Sequence, residues 1–400
     1  MTNIYAALEI GTTRTVLAIA ESENGGKLKV TAHAEIPSRG VRKSQILDMN
    51  MATQSIRGVL HDIEKKQKAH GSSITIGNAV LVISGQHVTV TPQVSTVSVS
   101  GGRVSTDDVR SVIEDARSRD LPKDRELLDI VEQDYGLDSL GGILTPKGMS
   151  GGVLKLNTLH VHADRNRIAD ARSAAEAAHL EIREPLLAVT SAADAVLTDQ
   201  ERKNGVLVLD FGGGSTGYAV YYDGFLVTTG VIGVGGDHVS SDIAHAFQTT
   251  HSQAEELKIA EASAVLGPSD AGDERVRIPG SSTLMESRTV SRRALDTVVN
   301  ARMRELLAMI RERLEEGDLL ARLHTGTVVT GGASALKDLD ALIQRELGTT
   351  VRPGRPAHLD GLDDTDYPPS YAAIAGALIY AHRNFEEKPL LNTLFGSLFK

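Results

Sequence analysis

Leu8-Glu9-Ile10-Gly11-Thr12-Thr13 and Leu209-Asp210-Phe211-Gly212-Gly213-Gly214-Ser215-Thr216 are the two stretches on which the fold of this chain turns. At a constant offset of 201 positions, Glu9 falls on Asp210 and Gly11 on Gly212, half a chain apart. Each copy is an apolar strand ending in an acid, then a Gly/Thr or Gly/Ser turn, then a second apolar strand. Glycine permits positive φ and close approach, so that backbone N–H groups can converge on phosphate oxygens, and the hydroxyls add donors. An ordinary hairpin explains either turn alone. The pair, each behind an acid, predicts two similar α/β domains facing each other across a cleft. Asp210 is placed to hold Mg²⁺ through water, as hard oxygen ligands beside phosphates do; its plain alternative is an Asx-turn at a hairpin start.

Working outward, Lys27 to Ile36 reads as a further strand, and residues 52–69 as a helix with Ile56, Val59, Leu60 and Ile63 on one stripe. The texture changes between 85 and 162. Val88 to Val99 alternates, its Pro92 favouring an edge or a bulge, and a short helix at 106–118, a Gly-rich passage at 141–152 and an alternating strand at 153–162 follow. This predicts a compact α+β insertion between two halves of something larger. Helix 165–179, the segment 186–197 and strand 206–210 return to the α/β style. Residues 240–300 read as helix and loop, with a Gly/Ser-rich break near 267–283, and 294–316 as a long amphipathic helix. Val328 to Thr330 is a strand running into Gly331-Gly332, with a helix predicted over 335–347 and a closing one over 371–382. The glycines at 331–332 read as a helix entry that could cradle adenosine or a phosphate, or as no more than a turn.

Composition narrows the function classes. At 41% hydrophobic and 24% charged residues, the 400-residue chain is ordinary for a core-forming protein of two or three domains. With 4% aromatics and no Trp, the core must be aliphatic. The net charge of −10 argues against a nucleic-acid binder. The absence of cysteine removes disulfides and thiolate chemistry. The start lacks the pattern of a secretory signal, and no apolar run approaches the ~20 residues of a spanning helix; the expectation is a cytoplasmic-type chain unless something anchors it peripherally. Neither a GxxxxGK[ST] loop nor a GxGxxG after the first strand is present.

With these residues in place, Glu9-Ile10-Gly11-Thr12, Asp210-Phe211-Gly212-Gly213-Gly214-Ser215 and Thr330-Gly331-Gly332-Ala333 resemble the phosphate 1, phosphate 2 and adenosine motifs of the actin, Hsp70 and sugar-kinase superfamily. Within it, the chain resembles the FtsA family of bacterial cell-division proteins. That narrower likeness rests on Pro37-Ser38-Arg39-Gly40-Val41, Ser84-Gly85-Gln86-His87, Gly235-Gly236-Asp237-His238-Val239-Ser240-Ser241-Asp242-Ile243-Ala244 and Ala254-Glu255-Glu256-Leu257-Lys258. It implies an actin-like two-lobed α/β fold of duplicated ribonuclease-H-like domains. Subdomain 1A would take 1–84, 163–200 and the closing helix 361–384; the FtsA-type insertion 1C, 85–162; 2A, 201–242 and 301–360; and 2B, 243–300.

The resemblance further implies an ATP-binding, filament-forming adaptor that ties the FtsZ ring to the cytoplasmic face of the inner membrane at the division site and recruits other divisome proteins. Thr12, Thr13 and Arg14 would contact phosphates, Gly213, Gly214 and Ser215 would hold the β and γ phosphates, and Asp210 would lie near Mg²⁺. Gly236, Glu255 and Lys258 would surround ribose and adenine, with Gly332 and Ala333 under the base; a solvated i,i+3 pair is the plain alternative for Glu255 and Lys258. Arg292 and Arg302 would meet the C-terminal peptide of FtsZ. Gly217 departs from the superfamily, which usually carries an acid or a His there, while Glu184 sits where relatives orient the attacking water. Slow ATP hydrolysis at most is therefore expected.

In 385–400, a linker and tail, Leu390, Leu391, Leu394, Phe395, Leu398 and Phe399 form one helical stripe. The tail reads as a membrane-targeting amphipathic helix, with docking on the protein's own core as its alternative. Two other functions stay open on sequence: the actin-like scaffold of type IV pili, which would not need this tail, and a small-molecule kinase of the same superfamily, for which no substrate-side base is assigned.

Overall fold

The structure is a computed structural model and describes residues 2–23, 26–69, 76–267, 274–278, 287–357, 359 and 368–385. The chain opens with β1 (Thr2–Ile10), β2 (Arg14–Glu23), β3 (Leu28–Pro37), two short strands β4 (Val41–Arg42) and β5 (Gln45–Ile46), α1 (Met49–Ala69) and β6 (Asn78–Ile83). It continues through β7 (Thr89–Ser98), α2 (Thr106–Arg117), β8 (Arg125–Leu137), β9 (Leu140–Ile143), β10 (Val153–Asp164), α3 (Arg165–Glu176), β11 (Glu181–Leu187), α4 (Ala188–Val196) and α5 (Asp199–Asn204). Then come β12 (Val206–Phe211), β13 (Thr216–Tyr222), β14 (Phe225–Ile232), α6 (Gly236–Ala246), α7 (His251–Glu261), β15 (Arg275–Ile278), β16 (Arg288–Ser291) and α8 (Arg292–Glu315). The last elements are β17 (Gly326–Thr330), α9 (Leu339–Leu347), β18 (Val351–Pro353) and α10 (Ala372–Asn384).

Two five-stranded sheets repeat one plan. In order β11-β6-β1-β2-β3 and β18-β17-β12-β13-β14, each joins an antiparallel three-strand meander to two parallel strands. β1 and β12 occupy the same central place, so the duplication read from the two acid-plus-glycine stretches is a duplication of whole sheets. Val206, Leu207, Val208 and Leu209 of β12 are all fully buried, as expected for a strand covered on both faces. Of the predicted stripe on α1, Ile56, Val59 and Ile63 are fully buried and Leu60 is half-buried on the side that packs on β3, each fully buried side chain contributing about 1.5–3 kcal/mol of transfer free energy. The insertion is a separate four-stranded sheet, β7-β10-β8-β9, with its own small core of Val112, Ala116, Leu154 and Leu156 under α2. β7 is an edge of that sheet, which is where Pro92 can forgo a ladder hydrogen bond.

α10 and α4 bring the lobes together. A Cβ on Gly376 would overlap the Ser191 carbonyl, so only backbone-to-backbone contact fits, which explains the small residues of both helices. The core around them takes in Val206, Val208 and Ala219 from the second sheet as well as the first.

Three expectations change. The segment 186–197 divides into the end of β11 and α4, because Pro185 masks a strand that lies on a sheet edge. The stretch read as helix and loop over 240–300 contains the β15–β16 hairpin. The helix predicted over 335–347 starts late: Gly332–Ala335 is one 3₁₀ turn, Asp338 stands at φ +59°, and α9 begins only at Leu339. No helix among the described residues is long and apolar enough to cross a membrane.

Candidate functional site

The two turns are closed by the same bond. Gly11 N–H donates to the Arg14 carbonyl at 2.9 Å, and Gly212 N–H to the Ser215 carbonyl at 2.9 Å. A Cβ would stand 2.8 Å from the Arg14 oxygen at Gly11 and 2.9 Å from the Ser215 oxygen at Gly212. Neither glycine has a positive φ, so it is tightness of the turn and not dihedral freedom that selects glycine here. The tips face one another: a Cβ on Gly213 would lie 2.6 Å from Thr13 Cγ2, and one on Gly214 would overlap Thr12 Oγ1.

Behind the turns lie the two acids. Asp210 pairs with Gly217 of β13 and Thr330 of β17, and Glu9 with Val16 of β2 and Val82 of β6. Burial pushes the Asp210 carboxyl up to about 7; the Glu9 charge adds to the rise and Arg14 opposes it. Burial raises Glu9 too, against Arg14. Glu9 Oε2 is buried without a hydrogen-bond partner. Two such carboxylates, with one guanidinium near them, are undercompensated negative charge, which a hard divalent cation would relieve. No group of three or more acids or histidines among the described residues could hold a metal alone. An ion here would need oxygens from a ligand or water to complete its shell, which is how Mg²⁺ binds beside phosphates.

Past the acids the cleft widens to about 400 Å³, lined by Gly236, Glu255, Lys258, Gly332, Ala333 and Ser370 among others. Lys258 Nζ reaches Glu255 Oε2 at 2.6 Å, Ser240 Oγ at 3.0 Å and the Gly236 carbonyl at 3.1 Å, and Ser240 Oγ in turn donates to Glu255. With its side chain 11% exposed, Lys258 is a strut from α7 to the start of α6 and not a solvated partner. The first N–H groups of α6 are spent on the second turn: Gly236 N–H donates to the Gly212 carbonyl at 3.0 Å and Asp237 N–H to that of Gly213 at 2.8 Å. α6 therefore braces the turn instead of presenting its N-terminus to a ligand. The Gly331–Ala335 junction supplies no helix N-terminus either, contrary to one sequence reading, because only a 3₁₀ turn follows it.

A family model described as Cell division protein FtsA matches residues 207–376, and one described as SHS2 domain inserted in FTSA matches 85–162. The cell division protein FtsA of Escherichia coli (strain K12) is 30% identical over 393 residues, 96% of this chain and 92% of its own. The chain belongs to the FtsA family of cell division proteins. The FtsA of Neisseria meningitidis serogroup B is 29% identical over 374 residues, 93% of this chain and 89% of its own. Among solved structures, the PilM-PilN type IV pilus biogenesis complex superposes with a TM-score of 0.66 at 17% identity, covering 94% of this chain and 98% of that one. MreB5 of Spiroplasma citri bound to ADP gives 0.53 at 14% identity, covering 96% and 99%. These structural likenesses establish the two-lobed actin-like fold.

Against this FtsA frame, the structure gathers Thr12, Thr13, Arg14, Asp210, Gly213, Gly214 and Ser215 at the paired turns, and Gly236, Glu255, Lys258, Gly332 and Ala333 at the wide end. Glu184 has no place beside them. In the sheet register Leu186 is the residue level with Glu9, and Glu184 Oε2 accepts the Tyr380 hydroxyl at 2.7 Å on the α10 side. Gly217 acquires a packing reason: a Cβ there would lie 2.6 Å from Val189 Cβ. Arg292 and Arg302 are not free cations. Arg302 forms a bidentate pair with Asp242 at 2.6 and 3.0 Å, and Arg292 pairs with Glu261 at 2.5 Å and Glu274 at 3.0 Å. The tail residues Leu390, Leu391, Leu394, Phe395, Leu398 and Phe399 lie outside the described residues.

Two features escaped the sequence reading. Glu9 as the partner acid of Asp210 was readable from the 201-residue offset that aligns them. The Arg14 clamp was not. Arg14 Nη1 donates to Glu35 at 2.6 Å and Ser370 Oγ at 3.2 Å, and the guanidinium lies 5.0 Å from the Tyr371 ring, joining segments 356 positions apart.

Proposed function

We propose that this FtsA-family chain binds ATP with Mg²⁺ between its paired turns and works as an actin-like filament protein that ties the FtsZ ring to the cytoplasmic face of the cell membrane. The observation that carries the nucleotide reading is the facing pair of acid-plus-glycine turns with Glu9 and Asp210 undercompensated behind them. Thr12, Thr13, Gly213, Gly214 and Ser215 would hold phosphates, Asp210 and Glu9 would hold the cation through water, and Gly236, Lys258, Gly332 and Ala333 would enclose the nucleoside. The cation would neutralise phosphate charge at the cleft floor. Solved MreB5 structures of the same fold, bound to ADP and to AMPPNP, support a nucleotide in such a cleft. With Gly217 packed against Val189 and Glu184 turned to Tyr380, neither offers a water-positioning group, so hydrolysis is expected to be slow. The subdomain bounds drawn from sequence belong to the same proposal.

The membrane reading rests on the apolar stripe of 390–399. One such short helix, with Lys388 and Lys400 as its cations, would bind lipid weakly and reversibly, and many copies along a filament would add by avidity. Liposome sedimentation with ATP and FtsZ tests this. Full-length protein should sediment mainly when polymerised, and a chain ending at Lys388 should not sediment yet should still bind ATP. Sedimentation of the shortened chain would place the anchor elsewhere. The proposed FtsZ peptide contact at Arg292 and Arg302 must compete with their internal pairs. Reversal to Glu would break those pairs, so substitution to Lys is the cleaner test.

A further inference from the structure

The insertion touches both lobes. At its root, Arg125 Nη2 donates to the His87 carbonyl and to Thr89 Oγ1, both at 2.8 Å, while its Nε meets His162 Nδ1 at 2.8 Å. One side chain thus ties the strand entering the insertion to the strand leaving it, and Arg172 of α3 pairs with Glu126 of β8 at 3.0 Å, which fixes the insertion to the first lobe. It meets the second lobe along β14, the edge strand of that lobe's sheet. β14 is bulged. Its pairing with β13 passes from Val220↔Thr228 to Tyr221↔Leu226 and leaves Val227 without a partner. A bulge of this kind turns backbone groups out of the ladder, and Gln133 of β8 meets them: its Nε2 donates to the Leu226 carbonyl at 2.5 Å and reaches that of Val227 at 3.4 Å. Leu226, 6% exposed, sits in the core against which Leu128 and Val131 of β8 also pack. At the other end of the β13–β14 ladder, Ser84 Oγ, just before the insertion, lies 2.9 Å from Ser215 Oγ in the second turn.

We propose that the insertion is a clasp between the lobes, set at the end of β14 away from the paired turns: Gln133 grips the bulge of β14 while the lobes are closed on their ligand and must let go for them to part. The orientation of the insertion then reports whether the paired turns hold a ligand. The proposal rests on the nucleotide reading of the cleft. Opening would strip the bulge carbonyls of their donor, so one neutral hydrogen bond should slow ligand release by about three- to tenfold.

The test uses the full-length chain and a fluorescent ATP analogue. Gln133→Leu, close in shape but without a donor, should release the analogue about three- to tenfold faster and lose hydrogen-exchange protection at the β14 amides. Since the chain has no cysteine, Gln133→Cys with Val227→Cys can form only one intramolecular cross-link, and release is compared once its formation is verified by mass. Oxidation should slow release and reduction should restore it. Release and protection of Gln133→Leu within twofold of the parent would overturn the clasp. If that variant melts early, the cross-linked pair decides, and release equally fast when oxidised and reduced overturns the proposal. If the parent takes up no analogue, the nucleotide reading fails. The β14 protection of Gln133→Leu then decides the clasp alone, loss supporting it and retention refuting it.

Discussion

The two matching turns are built alike and braced differently. The first, Gly11 to Arg14, carries its side chains outward and is held by a charged clamp, with Arg14 fixed by Glu35 and by the Ser370–Tyr371 segment. The second, Gly212 to Ser215, has almost no side chain to use and is held by backbone. The N-terminal amides of α6 bond its carbonyls, and a Cβ on Gly235 would lie 2.5 Å from both the Gly212 and Gly213 oxygens. Duplication copied the ladder and the closing bond but left each lobe to find its own brace. The first turn should therefore tolerate backbone crowding better, and the second should tolerate loss of charge better.

The largest effect separates them on crowding. Gly235→Ala forces backbone against backbone with no side chain to yield and should cost about 3 kcal/mol or more in denaturant unfolding. Gly11→Ala, opposed by a single oxygen at 2.8 Å, should cost about 1–2 kcal/mol. Equal losses would break the distinction.

Charge is the next test. Asp210 titrates near 3.8 when unfolded and near 7 when folded. The folded state holds the extra proton, so the group's penalty is absent below the lower value, grows between the two, and is full above the upper one. Asp210→Asn should accordingly raise Tm more at pH 8 than at pH 5, by on the order of 2 °C. A gain that is larger at pH 5 would reverse the sign and the assignment. A smaller effect is expected at the strut. Lys258→Ala removes bonds to Gly236, Ser240 and Glu255 and should destabilise by about 1–2 kcal/mol, with Lys258→Arg recovering part of it. No change in either variant would return the pair to a solvated helix face.

What the sequence disclosed follows the same division. The doubled sheet was legible because the acid and glycine positions recur at one offset, and the α1 stripe because a 3–4 spacing has only one buried face. Glu184 was named on the resemblance alone, and the register that sets Leu186, not Glu184, level with Glu9 is not legible across Pro185. Arg292 and Arg302 looked available because their acid partners, Asp242, Glu261 and Glu274, come from other elements, and spacing along one helix cannot show them. The Arg14 clamp spans nearly the whole chain and leaves no local signature.

The central claim, that the two turns act together on one nucleotide and one cation, is tested most directly by calorimetry of ATP binding with and without Mg²⁺. The parent should bind at least tenfold more tightly with the ion, since the ion offsets the repulsion between phosphates and the two carboxylates. Glu9→Ala and Asp210→Ala, one from each lobe, should each lose most of that gain. A full Mg²⁺ gain retained in either variant, or no ATP binding by the parent, would contradict the account.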